Sequence, residues 1–158
     1  MRVFISSVIK GFEDFRETAV DAAEALDHTI IQAEDFAASP KSARVTCLEG
    51  VRAADVVLIL LGARYGETQS SGKSATHEEF DEARRSKSVF VFVQGGITPE
   101  PKQAALISEA QSWASGQHTA RFNDAEELRR AVVKGTAETS QRHPSNVRDA
   151  SERTFKNI

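Results

Sequence analysis

The sequence predicts a doubly wound α/β domain, and three features carry that expectation. Short apolar runs stand at 2–6 (RVFIS), 55–61 (DVVLILL) and 89–93 (VFVFV). They lack the in-out alternation of a strand with one wet face, and fit parallel strands covered by helices on both sides. Between them, apolar residues recur every three or four positions, the period of a helix that presses one face onto a sheet. Strand and helix then alternate along the chain, which calls for right-handed crossovers.

Taken in order, the first strand is 2–6, and the helix after it is marked by Phe12, Phe15, Ala19, Ala22, Ala23 and Leu26. A weaker strand is expected at 29–33 (TIIQA), then a helix marked by Ala43, Cys47, Val51 and Ala54. The third strand is 55–61, followed by a helix that opens near Thr76. The fourth is 89–93, separated by the turn-rich GGITPEP (95–101) from a helix marked by Ala104, Ile107, Ala110 and Trp113. A last strand at 119–122 (TARF) precedes a helix that Asn123 is placed to cap. Five strands in this sequence suit a flavodoxin-like order of 2-1-3-4-5, with helices on both faces. Ligands of such sheets sit beyond the carboxyl ends of the strands where the winding reverses, here between the first and third. The α/β domain is expected over 1–139. The polar stretch 140–158 has few apolar anchors and reads as a flexible tail or a linker to further domains.

Composition narrows the function classes. Twenty Lys and Arg against 23 Asp and Glu give a net charge of −3 and a pI near 5.8, with no basic patch for a nucleic-acid backbone. No run is long and apolar enough for a signal peptide or a membrane span, so a cytoplasmic protein is expected. Cys47 is the only cysteine, which excludes an internal disulfide or a multi-cysteine zinc site, and the four histidines show no metal-ligand spacing.

Gly72-Lys73-Ser74 invites a phosphate-loop reading, but GxxxxGK[ST] needs glycine at 67, where Glu67 stands. A mobile polar loop is the expectation. It ends in Thr76-His77-Glu78-Glu79, an S/T-x-x-E capping box in which Thr76 caps the helix and Glu79 reaches back. The competing reading of Glu79 is a crevice carboxylate in the first turn of the helix after the third strand. Ser6 and Ser7 follow the first strand, and Arg64, Tyr65 and Gly66 the third; all five are candidate ligand contacts or simple turn residues. Tyr65 stacks on a base or packs beneath the loop, and Gly66 supplies a positive φ. Arg16 belongs to a solvent face or reaches over the first crevice loop, and Glu34-Asp35-Phe36 ends the second strand as solvated surface.

Three blocks in order, VFISSVIKGFEDFRE, CLEGVRAADVVLILLGARYG and SATHEEFDEA, resemble the bacterial "VFISS" domain of unknown function. That family belongs to the group joining TIR domains with nucleoside deoxyribosyltransferases, and the resemblance covers about residues 2–94. It implies a flavodoxin-like fold, often placed ahead of NTPase or repeat domains in defence or signalling proteins, and self-association through the domain. In catalytic TIR domains a glutamate opening this helix is required to cleave the nicotinamide–ribose bond of NAD⁺, and His77-Glu78-Glu79-Phe80 is similar to that segment, with Glu79 the match by position. The resemblance thus implies Glu79 as catalytic residue, NAD⁺ or a related nucleotide as substrate, and no separate cofactor or metal; Ser6, Ser7, Arg64, Tyr65, Gly66 and Thr76, expected around the same crevice, are the candidate substrate contacts. The aspartate-glycine-threonine approach of the deoxyribosyltransferases is missing, since Gly72-Lys73-Ser74-Ala75-Thr76 stands there. A non-catalytic interaction or nucleotide-sensing module and another N-glycosidic enzyme are the alternatives.

Overall fold

In the computed structural model, which describes residues 1–31, 43–114 and 118–142, strands and helices alternate without exception. The order is β1 (Arg2–Ser6), α1 (Glu13–Glu24), β2 (Thr29–Ile31), α2 (Ala43–Ala53), β3 (Val56–Leu61), α3 (Ala75–Ala83), β4 (Ser88–Gln94), α4 (Pro101–Trp113), β5 (Thr119–Phe122) and α5 (Ala125–Arg142). All neighbouring strands pair in parallel, in the spatial order β2-β1-β3-β4-β5. Winding reverses between β1 and β3, whose register sets Val3 beside Val56 and Ser6 beside Ile59.

The side-chain period of two explains why β3 is apolar throughout. Val57, Ile59 and Leu61 enter one core with Val51 and Ala54 beneath α2, Phe80 and Ala83 of α3, and Leu106 and Ala110 of α4. Val56, Leu58 and Leu60 enter the other, with Ala19 and Ala22 of α1 and Leu128 and Val132 of α5. Three helices therefore cover one face of the sheet and two the other. No helix of the described residues is long and apolar enough to cross a membrane.

Local details depart from the sequence pattern in three places. Gln103, Leu106 and Ala110 form the buried face of α4, continued by Ala114 just past its end, while Trp113 is 40% exposed and Ala104 is exposed. The expected stripe of Ala104, Ile107, Ala110 and Trp113 is thus rotated, because Gln103 turns inward to donate from Nε2 to the Gly62 carbonyl (2.9 Å). Asp124, not Asn123, caps α5, its Oδ1 accepting from the Glu127 amide (2.8 Å). At α3 the cap is Ser74, whose Oγ accepts from the His77 amide (3.2 Å). Glu34-Asp35-Phe36 and the end of the expected second strand lie outside the described residues, as does the chain from residue 143; α5 itself continues to Arg142.

Gly62 closes β3 where backbone and ring meet. A Cβ there would stand 2.5 Å from Phe12 Cε2 and 3.0 Å from Gln94 Oε1. Gly62→Ala is therefore expected to destabilise the fold by about 1–3 kcal/mol through overpacking, read as a lower urea midpoint at unchanged slope.

Candidate functional site

Loops leaving the carboxyl ends of β1 and β3 wall a crevice of about 540 Å³, as the reversal of winding requires. Ser7, Arg64, Tyr65, Gly66, Thr76 and Glu79 all line it, so six of the seven expected site residues come together. The seventh, Ser6, is 1% exposed and lies just beneath, at the end of β1. Gly66 has φ +91, and Val8 Cγ1 would be 3.2 Å from a Cβ there, so the turn needs glycine twice over.

Glu79 sits in the second turn of α3 because the helix begins at Ala75, one residue after its Ser74 cap. That removes the capping-box reading. Thr76 is not the cap but a buried crevice residue, and the position three beyond the cap is His77. The Glu79 carboxyl is left with no structural duty at the helix end, yet the residue is only 7% exposed. Burial pushes its pKa up from 4.5 to about 7; the Ser6 hydroxyl and the Arg16 charge pull it down, and Glu78 adds to the rise. Ser6 Oγ itself makes no hydrogen bond of ordinary geometry among the described residues, so it favours the carboxylate as a nearby dipole. A buried carboxyl poised near neutrality, against one guanidinium and one hydroxyl, is the arrangement that active sites build.

Arg16 does reach over the first crevice loop. Its Nη1 donates to Ser7 Oγ (2.9 Å), which donates in turn to the Val8 carbonyl (2.7 Å). Arg64 Nη1 donates to the Lys10 carbonyl (3.3 Å), tying the loop after β3 to the loop after β1. Glu78 also lines the crevice and accepts from Ser71 Oγ (2.5 Å). Sequence reasoning left Glu78 and Lys10 without a role. Their adjacency to Glu79 and to the first loop was visible, but which side of a turn they take depends on the cap.

Tyr65 packs beneath its loop, and its hydroxyl meets His77 Nδ1 at 2.6 Å. His77 Nε2 lies 3.2 Å from Glu109, which Arg84 also pairs with at 3.2 Å. Asp81 completes the group through Lys73 (2.6 Å) and Arg84 (3.1 Å). His77, Asp81 and Glu109 bring potential metal-ligand atoms within 4.8 Å of one another, but Lys73 and Arg84 already balance the carboxylates and Tyr65 holds the ring. The cluster is an ion-pair network that fixes α3 on α4. Three residues of the α4 region thus brace the crevice wall: Glu109 through His77, Gln103 through Gly62, and Glu100, whose Oε2 accepts from the Tyr65 amide (3.2 Å).

Lys73 is accordingly a helix-side ion-pair partner. The stretch 67–73, expected as a mobile loop, is closed on itself by a Thr68–Ser74 bridge and by bonds from the Gln69 amide to Lys73 and the Gly72 amide to Gln69 (both 2.9 Å). Lys73→Ala is expected to change nucleotide affinity less than about twofold, since it removes a partly exposed ion pair with Asp81 and no residue of the crevice lining. A tenfold loss of ATP binding would restore the phosphate-loop reading.

Fold and crevice define a flavodoxin-like α/β domain with a buried carboxylate at its topological switch point. Within that class, the chain belongs to the family described as Domain of unknown function (DUF4062), whose model matches residues 2–137. No curated protein matches it. Among solved structures it is similar to the Clostridium botulinum CMP N-glycosidase BcmB, at 16% identity and a TM-score of 0.56 over 82% of this chain and 95% of that one. It is also similar to the flavodoxin-like domain of a Synechococcus sp. protein, at 10% identity and a TM-score of 0.50 over 88% and 98%. At such identities the likeness is one of fold.

Proposed function

We propose that this domain hydrolyses the N-ribosidic bond of a nucleotide, with the nicotinamide–ribose bond of NAD⁺ as the bond cut and Glu79 as the carboxylate that makes it possible. The observation that carries the reading is a glutamate 7% exposed at the switch-point crevice, with no capping duty to explain it. Nicotinamide in NAD⁺ is already a cationic leaving group, so no general acid need protonate it, unlike an ordinary glycoside. As the bond from C1′ to the ring nitrogen breaks, its electron pair neutralises the pyridinium and positive charge develops on the ribose. An ionised Glu79 stabilises that charge in a site drier than water. Water then adds to C1′ and releases a proton, giving ADP-ribose and nicotinamide. The similarity of His77–Phe80 to the TIR segment supports NAD⁺.

A second reading, a nucleoside monophosphate, has its own support. The similar C. botulinum structure is a CMP N-glycosidase, and a carboxyl with a pKa of about 7 keeps a share of its proton at neutral pH to give to a neutral base. The two differ in pH dependence. With NAD⁺ as substrate, kcat/KM rises with pH up to about 7 and then levels; with Glu79 as acid, it falls above that value.

The test is release of nicotinamide from NAD⁺, and of cytosine from CMP, by protein concentrated or tethered so that self-association is satisfied. Cleavage of neither, under those conditions, would overturn the enzyme reading in favour of an interaction or nucleotide-sensing module.

A further inference from the structure

The crevice is lined by charges of both signs. Lys10 and Arg16, from the chain after β1, and Arg64, from the chain after β3, make up its cationic side; Glu78 and Glu79 of α3 make up its acidic side, with Arg16 near enough to Glu79 to act on its carboxyl and an exposed Glu67 also in the lining. Arg16 and Arg64 are each held by a neutral oxygen, Ser7 Oγ at 2.9 Å and the Lys10 carbonyl at 3.3 Å. Among the described residues none of the three cations has a carboxylate within salt-bridge distance. This differs from the outer side of α3, where Lys73 and Arg84 are both paired. Surface cations are ordinarily solvated and loose. Here Arg16 is half-buried and anchored, so part of the entropy a ligand would cost it is already lost on folding.

A ligand that fits both sides carries negative charge at one end and a group that becomes positive at the other. We infer that Lys10, Arg16 and Arg64 form a phosphate subsite, which selects 5′-phosphorylated nucleotides over free nucleosides and turns C1′ of the ribose toward Glu79. The orientation of the ribose rests on the cleavage reading above; the phosphate subsite does not. Guanidinium groups suit the role because they present forked donors to phosphate oxygens and keep their charge at any relevant pH. Their placement also sets apart the work of the two sides: the phosphate end holds the ligand in ground and transition state alike, lowering KM, while Glu79 acts on the charge that appears only as the bond breaks.

Calorimetry with ribose 5-phosphate and with ribose tests this without any turnover. Wild type is expected to bind the phosphorylated sugar at least about tenfold more tightly, with the preference shrinking as salt rises from 50 to 300 mM. Arg16→Gln and Arg64→Gln should each remove most of that preference, Arg16→Lys should keep part of it, and Lys134→Gln on α5, which alters net charge equally, should keep it whole. Equal affinity for the two sugars, or a preference that survives in both glutamine variants, would overturn the subsite. Should Arg16→Gln fail to fold, Arg64→Gln and the salt dependence still decide. If ribose 5-phosphate binds as expected but no nucleotide is cleaved, the subsite stands and the hydrolase reading falls.

Discussion

Replacing Glu79 with glutamine is expected to slow cleavage of the N-ribosidic bond by at least about a hundredfold, with the loss in kcat rather than KM. The amide keeps the shape of the side chain and its place on α3, but offers no full negative charge to the ribose as the leaving group departs. Its neutrality also removes the titration: whatever residual activity remains should no longer vary with pH near 7, where wild type changes protonation. Single-turnover measurement of nicotinamide release from pH 5 to 9 reads both effects together. A variant that cleaves NAD⁺ at the wild-type rate would leave the carboxylate without a catalytic part.

The same substitution is expected to stabilise the folded domain where it harms the chemistry. An acid whose pKa stands at about 7 in the folded chain and 4.5 in the unfolded one binds a proton between those values only when folded. Stability therefore falls as pH rises through that window, and the penalty is complete above about pH 7. Its size is roughly 3 kcal/mol, the cost of ionising a carboxyl largely shielded from water. Glutamine carries no such charge. Whatever the difference between variant and wild type at pH 4, it should shift in favour of the variant by roughly 3 kcal/mol by pH 8. Urea midpoints at those two pH values are the measurement, and a constant difference would show that Glu79 ionises as freely as a surface carboxylate. Opposite signs for stability and rate are the mark of a residue kept for function.

The features that the sequence made legible and those it hid differ in range. Strand order could be read because β3 and β4 are apolar on both faces and because crossovers have one hand; both are properties of short local runs. The position of Glu79 at the crevice followed from that order. Its burial did not, since it depends on Ser6, on Arg16 reaching back from α1, and on residues more than sixty positions away. The cap of α3 was misplaced because Ser74-Ala75-Thr76-His77-Glu78-Glu79 contains overlapping capping patterns, and the glutamate that completes the second made it the better match on paper. In the fold the helix starts two residues earlier, and that offset turns Glu79 from a cap into a crevice group. On α4 the pattern failed for a related reason. Gln103 is polar and so stands outside any apolar stripe, yet it is buried and donates its side-chain amide to the Gly62 carbonyl just past β3. A hydrogen bond between residues 41 positions apart leaves no periodic trace.

The brace from α4 to the crevice wall bears on how the domain breathes. The Tyr65 amide donates to the side chain of Glu100, the residue just ahead of α4, and not to another strand. Its protection from deuterium is therefore decided by whether that end of the helix is seated, while the amides of β3 and β4 are guarded by the sheet itself. Opening events that lift α4 and leave the sheet closed register at this amide, and at the Glu100 amide that donates to the Ala63 carbonyl (2.9 Å), before they register in the central strands. The residue that lines the crevice thus doubles as a gauge of local unfolding, and its exchange rate measures how often the wall stands unsupported.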